Sequence, residues 1–274
     1  MLERYKQAVT NKDVLGALLA LGNVEHIDES KESLSGHTIL TYTISRKVFD
    51  LVEPLIDYGV SIHSTNLSDT SPIHYAALRG HVETLRMLVE RGANIEQLDG
   101  LKQTPLHFAA VMGHAHIAKA LIDLGANVDP RDRHGCTPFY FATNNGFELV
   151  SKVLLDAGAD INSADDEGNT LMHVVAYDSV MDMATELIAM GMKLDIRNKR
   201  GRTPLHVAAE RNMGEMVKLL ILAGATRTAQ DDGGNTPLHL AKVHKAERAI
   251  KALIAYGADT SIKNSAGKTP LDIG

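Results

Sequence analysis

Thirteen histidines are the first side chains in this sequence that could bind a metal ion or transfer protons. Five of them recur in steps of 33 or 66 residues, and a side chain that returns at a fixed interval indicates a structural position. These five are His74, His107, His173, His206 and His239. At such a position we expect the ring to bond to nearby backbone. His114 and His116 are two residues apart, which puts them on different faces of a helix. The histidines therefore predict neither a metal site nor a catalytic base.

Two further motifs could carry chemistry, and neither has the residues that the chemistry needs. Cys136 is the only cysteine, and nothing around it predicts the base and oxyanion site that a nucleophile requires. The run 267–269, Gly-Lys-Thr, is similar to the end of a phosphate-binding loop, but Ile262 stands where that loop needs glycine. We predict a passive thiol, no cofactor and no enzymatic activity.

Composition narrows the remaining classes of function. The 274 residues carry a net charge of −6 at pH 7, which argues against nucleic acid as the partner because phosphate backbones require clustered Lys and Arg. No stretch approaches the roughly 18 consecutive apolar residues of a membrane helix, so we expect no membrane partner. A single cysteine permits no intramolecular disulfide and fits a reducing compartment. We expect the cytoplasm, or the host cytosol if the protein is a secreted effector.

The histidine spacing belongs to a repeat that runs through nearly the whole chain. Threonine or serine stands at every thirty-third position, and proline follows six of these eight residues. The eight positions are Thr38, Ser71, Thr104, Thr137, Thr170, Thr203, Thr236 and Thr269. A glycine series keeps the same period at Gly59, Gly92, Gly125, Gly158, Gly191, Gly224 and Gly257. A repeat of this length indicates stacked supersecondary units.

One repeat can be interpreted physically from its residues. Thr104 can cap a first helix, and Pro105 suits the first helical position, where no N–H is needed. A second helix over roughly 114–124 has apolar residues at helical spacing, and Gly125 ends it. A polar turn over 127–135 leads to the next repeat. A short helix pair buries its apolar face only against neighbouring pairs.

These residues resemble the ankyrin repeat, whose signature is Thr-Pro-Leu-His-x-Ala with a period of 33. The resemblance implies an all-α solenoid of antiparallel helix pairs, with projecting β-hairpin or turn fingers. It also implies that the concave side, made of fingers and first helices, binds another protein.

We predict a single domain over 1–274. Residues 1–30 look like an N-terminal cap, and seven repeats follow, starting at 38, 71, 104, 137, 170, 203 and 236. The stub 269–274 has no second helix, so at least some of Leu240, Ile250, Leu253 and Ile254 should lack a cover. Truncation, partial capping by the stub and weak self-association through this end stay open.

Two departures from the pattern lead to structural expectations. The repeat from Thr170 has Ser179 in place of the helix-ending glycine and contains five methionines, which indicates a softer core, a hinge or a docking patch. The finger glycine is replaced by Asp69 and Lys102, so we expect these two fingers to deviate from the usual shape.

The variable finger and first-helix positions give two candidate binding surfaces. Charge alternates between successive fingers, which predicts either mutual attraction between fingers or a charged docking strip. Its members are Arg131, Arg133 and His134, then Asp165, Asp166 and Glu167, then Arg197, Lys199, Arg200 and Arg202, then Asp231 and Asp232, with Glu210 and Arg211 on a first helix. The second surface is an aromatic row, interpreted as a binding face or as packing between repeats. It consists of Tyr75, Phe108 and Phe141, with Leu67, Leu101 and Met112 nearby.

The pattern as a whole favours a scaffold or inhibitor that binds a partner protein. The alternative is the recognition arm of a larger enzyme, channel or secreted effector.

Overall fold

The computed structural model describes residues 2–21 and 36–273, which contain sixteen α-helices grouped in two compact units. We call Met1–Asp160 the N-terminal unit and Ile161–Gly274 the C-terminal unit. The N-terminal unit contains α1 (Leu2–Thr10), α2 (Val14–Leu21), α3 (Ile39–Ser45), α4 (Val52–Asp57, after a 3-10 turn at Phe49–Leu51), α5 (Pro72–Arg79), α6 (Val82–Glu90), α7 (Pro105–Val111), α8 (Ala115–Asp123), α9 (Pro138–Asn144) and α10 (Glu148–Asp156). The C-terminal unit contains α11 (Leu171–Asp178), α12 (Met181–Ala189), α13 (Pro204–Glu210), α14 (Gly214–Leu222), α15 (Pro237–Val243), α16 (Glu247–Ala255) and a 3-10 turn at Pro270–Asp272. The all-α class and the helix pairs are confirmed.

Each first helix is fixed at its start by the repeated histidine. In α7, the Nδ1 atom of His107 accepts the backbone N–H of Thr104 at 3.1 Å, and Nε2 donates to the carbonyl of Cys136 at 3.1 Å. Since a backbone N–H only donates and a carbonyl only accepts, the ring is neutral with its hydrogen on Nε2. The same pair of bonds holds His74, His173, His206 and His239. The structural role expected for these histidines is confirmed.

The helix pairs bury small and aliphatic side chains against one another. Ala109 and Ala110 of α7 are fully buried, as are Ile117 and Leu121 of α8. Small residues allow neighbouring first helices to pack closely, and the aliphatic side chains fill the space between first and second helices. Gly125 follows α8 with a φ of 92°, a backbone conformation that residues other than glycine rarely adopt.

The fingers are closed by turns. In the described part of the chain there is one isolated antiparallel bridge, between Ala164 and Thr170, and no strand. The finger before α7 shows the pattern: Asp99 Oδ1 accepts the backbone N–H groups of Leu101 and Gln103, both at 2.8 Å. Such side-chain bonds fix the turn without help from a neighbouring strand.

The expectation that the fingers at Asp69 and Lys102 deviate is wrong. Both residues adopt the left-handed conformation, with φ values of 57° and 59°. Gly135 and Gly168, at the same position of later repeats, adopt it too, with φ values of 79° and 77°. Lys102 donates its N–H to the carbonyl of Asp99 at 2.9 Å, as Gly135 does to that of Asp132 at 3.0 Å. Asn66 Oδ1 in the first finger and Asp99 Oδ1 in the second accept backbone N–H groups of the turn and hold it in place, although a left-handed residue with a Cβ costs about 1–2 kcal/mol.

The repeat from Thr170 keeps its helix pair although its sequence departs from the pattern. Ser179 takes the left-handed conformation in place of glycine, with φ at 59°. Met172 and Met192 are buried, as flexible side chains that fill irregular gaps. The ideas of a hinge or docking patch in this repeat stay predictions.

One of the four apolar residues named in the last helix pair lacks a cover, as predicted for at least some of them. Leu240, Ile250 and Leu253 are buried, whereas Ile254 is 50% exposed. Pro270 is also buried, in the 3-10 turn that contacts α15. The lack of cover therefore applies to Ile254 and not to the other three. Self-association through this end stays a prediction, as does the single domain over 1–274. The predicted cap 1–30 extends into residues 22–35, which lie outside the described residues.

Candidate protein-binding surfaces

The predicted aromatic row lies on successive first helices of the N-terminal unit. Tyr75, Phe108 and Phe141 are half-buried in α5, α7 and α9. The Phe108 ring packs edge-on against His74 with centroids 5.0 Å apart, and Phe141 packs on His107 in the same way at 5.9 Å. Each ring therefore packs against the preceding repeat and keeps part of its surface accessible. The packing interpretation is confirmed, and the binding interpretation stays a prediction.

The row extends one repeat further towards the N terminus than we predicted. Tyr42 in α3 precedes Tyr75 by 33 residues, and His37 lies between them, with ring centroids 6.3 Å from Tyr42 and 5.2 Å from Tyr75. Stepping back once more along the repeat would have found Tyr42. The side-chain amide of Asn66 donates to the Tyr75 hydroxyl at 3.1 Å. Burial raises the pKa of Tyr75, and the hydrogen bond with Asn66 opposes this increase.

Exposed apolar side chains accompany this row. Met112 directly follows α7 and stands one helical turn after Phe108, so the two share a face. Met112 is 42% exposed, and the finger residues Leu67 and Leu101 are 71% and 41% exposed. We call these six residues the apolar surface of the N-terminal unit: Leu67, Tyr75, Leu101, Phe108, Met112 and Phe141.

The basic finger before α9 stands beside the finger that carries Leu101. Arg131, Arg133 and His134 are all exposed. The backbone N–H of Arg133 donates to the carbonyl of Leu101 at 2.9 Å, which joins the two fingers. The Arg133 side chain donates through Nε to His134 Nε2 at 3.0 Å.

A groove of about 490 Å³ opens in the C-terminal unit, between the first helices α11 and α13 and the fingers before them. Its lining includes Glu167, Val174, Tyr177, Arg200, Val207 and Arg211. Val174 and Val207 occupy the repeat position that Phe108 and Phe141 occupy in the N-terminal unit.

The predicted basic cluster divides in two, and its first part is already paired. Arg197 Nη2 lies 3.2 Å from Asp232 Oδ1, on the next finger. Arg202 Nη1 forms a close ion pair with Glu210 of α13, and its Nε lies 3.8 Å from the buried Asp231. Opposite charges on neighbouring fingers therefore attract each other, which accounts for Arg197 and Arg202.

Lys199, Arg200 and Arg211 have no carboxylate partner in residues 36–273. Lys199 and Arg200 are exposed at the finger tip, and no ion pair joins either of them to the described residues. The Arg211 guanidinium lies over the ring of Tyr177, 4.1 Å from its centroid. Arg200 and Arg211 both line the groove, whereas Lys199 does not.

The acidic finger before α11 contributes one residue to the groove. Asp166 and Glu167 are both exposed, and Glu167 alone of the two lines the groove. The backbone carbonyl of Glu167 accepts the N–H of Lys199 at 2.9 Å, which ties this finger to the next. That these charged residues bind a partner stays a prediction.

The histidines of the described residues are not grouped as metal ligands. No group of three or more His, Cys, Asp or Glu side chains there could hold a metal ion. His114 and His116 lie closer than predicted, with ring centroids 5.8 Å apart, because His114 precedes the first helical residue. Both bond to carbonyls of the preceding repeat, at Leu78 and Gly80. Across the described residues, no helix is long and apolar enough to span a membrane.

Comparison with known families now decides the fold family. The sequence model described as ankyrin repeats matches residues 6–99, 93–165, 145–231 and 211–273. The chain belongs to the ankyrin repeat family. The resemblance seen in the sequence is confirmed, and with it the ankyrin-repeat solenoid fold. Ankyrin repeats are in general protein–protein interaction modules.

Solved ankyrin repeat structures are similar to this one. The ankyrin repeat domain of Bcl-3, described as a unique member of the IkappaB protein family, is 29% identical with a TM-score of 0.67. The match covers 75% of this chain and 94% of that one. The human ASB11 ankyrin repeat domain is 30% identical with a TM-score of 0.58, covering 75% of this chain and 92% of that one. A comparison with curated proteins returned no match.

Proposed function

We propose that this ankyrin repeat protein is a scaffold or inhibitor that binds a partner protein, without catalysing a reaction, through its fingers and first helices. The observation that carries the proposal is the apolar surface of the N-terminal unit. Its finger and helix-end residues Leu101 and Met112 are exposed beside a row of half-buried rings. Grouped exposed apolar residues mark interaction sites, and aromatic side chains are frequent anchors there.

The fold supports this role because it separates scaffold from surface. The histidine bonds and buried alanines hold the helix pairs together, so the exposed positions are free to vary with the partner. A recognition arm of a larger enzyme, channel or secreted effector would use the same surface. We place the protein in the cytosol, or in a host cytosol, because its single cysteine suits a reducing compartment.

The test is a pull-down from the lysate of the source or host cell, with partners identified by mass spectrometry. The double variant Leu101→Glu, Met112→Glu places charge on the apolar surface at positions that are already exposed. Leu222→Glu is the control, since Leu222 is 65% exposed on a second helix of the other unit. We expect a protein held by the wild type and by Leu222→Glu to be lost by the double variant. Equal capture by all three proteins would contradict the assignment to this surface.

A further inference from the structure

The groove of the C-terminal unit presents two guanidinium groups to a ligand. We propose that this groove binds an acidic segment of a partner protein, with a carboxylate side chain held between Arg200 and Arg211. The site lies on the other unit from the apolar surface and differs from it in chemistry. The proposal rests on the proposed function only in assigning a binding role to fingers and first helices, and different variants test the two.

The charged side chains that line the groove determine whether it favours an acidic or a basic ligand. Three arginines and two carboxylates line it: Arg200, Arg202, Arg211, Glu167 and Glu210. Arg202 and Glu210 form an ion pair with each other, so they offer little net charge to a ligand. The remaining charges of the lining are Arg200 and Arg211 against Glu167. The excess is positive, and complementarity favours an acidic ligand.

The form of the two cations favours a carboxylate. A guanidinium presents a rigid fork of N–H donors that matches the two oxygens of a carboxylate. Arg211 is held over the face of Tyr177 at 4.1 Å, which limits the freedom that it loses when a ligand binds. Arg200 lies on a finger whose turn is fixed by Asn198, which accepts the backbone N–H of Arg200 at 3.0 Å. The side chain of Arg211 and the backbone of Arg200 are therefore both held in place before a ligand binds.

The size and floor of the groove favour a short segment. A volume of about 490 Å³ accepts a few side chains and not a folded domain. Val174 and Val207 give the groove an apolar surface between its charged walls, which suits an aliphatic side chain next to the acidic one. A nucleic acid fits less well, because the exposed Glu167 would repel a continuous phosphate backbone.

The experiment uses a display library of short random peptides, selected on the full chain and sequenced. Selected peptides are then labelled, and their binding is measured by fluorescence anisotropy. Each is compared with a version in which Asp and Glu are replaced by Asn and Gln. The test variant is Arg200→Glu, Arg211→Glu. The control is Lys218→Glu, Arg248→Glu, which makes the same change in net charge at exposed residues of α14 and α16.

We expect the selected peptides to contain an acidic residue beside an aliphatic one. Binding should weaken about tenfold or more in the Arg200→Glu, Arg211→Glu variant and in the amide peptides, and the control should bind like the wild type. A peptide with lysine in place of the acidic residue should recover binding to the test variant. Circular dichroism melting should show that both variants remain folded.

Three results would overturn the proposal. Peptides that bind in the groove but are neutral or basic would refute the acidic ligand while leaving a binding role for the protein. Equal weakening in the test and control variants would show that only net charge matters. Tighter binding of an oligonucleotide than of the selected peptides, lost in the test variant, would assign the groove to phosphate. The pull-down variants at Leu101 and Met112 leave the groove unchanged, so failure of the proposed function appears separately.

Discussion

One repeat position carries rings in the N-terminal unit and aliphatic side chains in the C-terminal unit. Phe108 packs against the histidine of the preceding repeat and fills the space between neighbouring first helices. Val174 and Val207 are smaller and line an open groove. Both units keep the same histidine bonds and the same turns. With the same scaffold in both units, the larger side chain stands at this position where the face is packed, and the smaller one stands where the groove opens.

Charge distinguishes the two regions in the same way. The apolar surface of the N-terminal unit has exposed Leu67, Leu101 and Met112, whereas the C-terminal groove has guanidinium groups. The ion pairs of Arg197 and Arg202 connect neighbouring fingers and a first helix. The finger-tip side chains of Lys199 and Arg200 form no such pair with the described residues. A basic run in the sequence is therefore two things in the structure, a set of internal ion pairs and a set of accessible cations.

The largest expected effect concerns what the two units share, the buried histidines. Burial lowers the pKa of His74, His107, His173 and His206 below the ordinary value near 6.5, because it disfavours the charged ring. Below pH 6.5 the unfolded chain therefore binds more protons than the folded one. We expect the free energy of unfolding to be highest above pH 6.5 and to fall as the pH drops below it, in both units. Urea denaturation across this range and hydrogen-exchange mass spectrometry would measure the loss and locate it.

A single-residue control can isolate the contribution of one ring. The first repeat has Thr41 at the histidine position, and its hydroxyl accepts the N–H of Thr38 at 2.8 Å. His206→Thr copies this arrangement and removes one titrating group, so stability should depend less steeply on pH. Stability that stays constant or rises towards acid would contradict the assignment. Loss of protection in one unit alone would show that the two scaffolds are not equivalent.

The next effect separates the paired and unpaired members of the basic run. Arg202→Ala leaves Glu210 and the buried Asp231 without their cation, and we expect a loss of about 2 kcal/mol in the free energy of unfolding. Arg200→Ala removes an exposed side chain that has no carboxylate partner, and it should change the free energy of unfolding by less than about 0.5 kcal/mol. Urea denaturation of both variants provides the measurement. Equal losses would mean that the ion pairs contribute little and that the division of the run has no energetic basis.

Much of the scaffold was predictable because each of its features depends on local chemistry. The recurring Thr-Pro start, the histidine and the glycine after the second helix predicted the helix pairs, and the histidine bonds follow from the same spacing. The prediction for the fingers at Asp69 and Lys102 is wrong because the left-handed turn position does not require glycine there. Bonds from Asn66 and Asp99 to the turn backbone compensate for the left-handed residue.

The candidate surfaces were only partly predictable, because pairing between side chains depends on contacts across repeats. The sequence grouped Arg197, Lys199, Arg200 and Arg202 as one cluster, and nothing in their spacing shows which two find carboxylates. Tyr42 is predictable from the sequence, because it precedes Tyr75 by one period of 33 residues. The groove opens where valine stands at positions 174 and 207, and the pattern of recurring scaffold residues does not reveal this.

The smallest effect on stability tests the comparison directly, by exchanging the side chains that distinguish the two regions. Phe108→Val removes the ring that packs on His74 and should cost about 1–2 kcal/mol in the free energy of unfolding. Val207→Phe adds a ring where the groove is open, so stability should change by less than about 0.5 kcal/mol, and the groove should close. Urea denaturation measures the first consequence, and anisotropy with the selected acidic peptides measures the second. Because Arg200 and Arg211 are untouched in Val207→Phe, loss of peptide binding there would show that the open space matters as well as the charge. Undiminished binding would mean that the peptide contacts the finger tips alone and that the aliphatic position has no part in recognition.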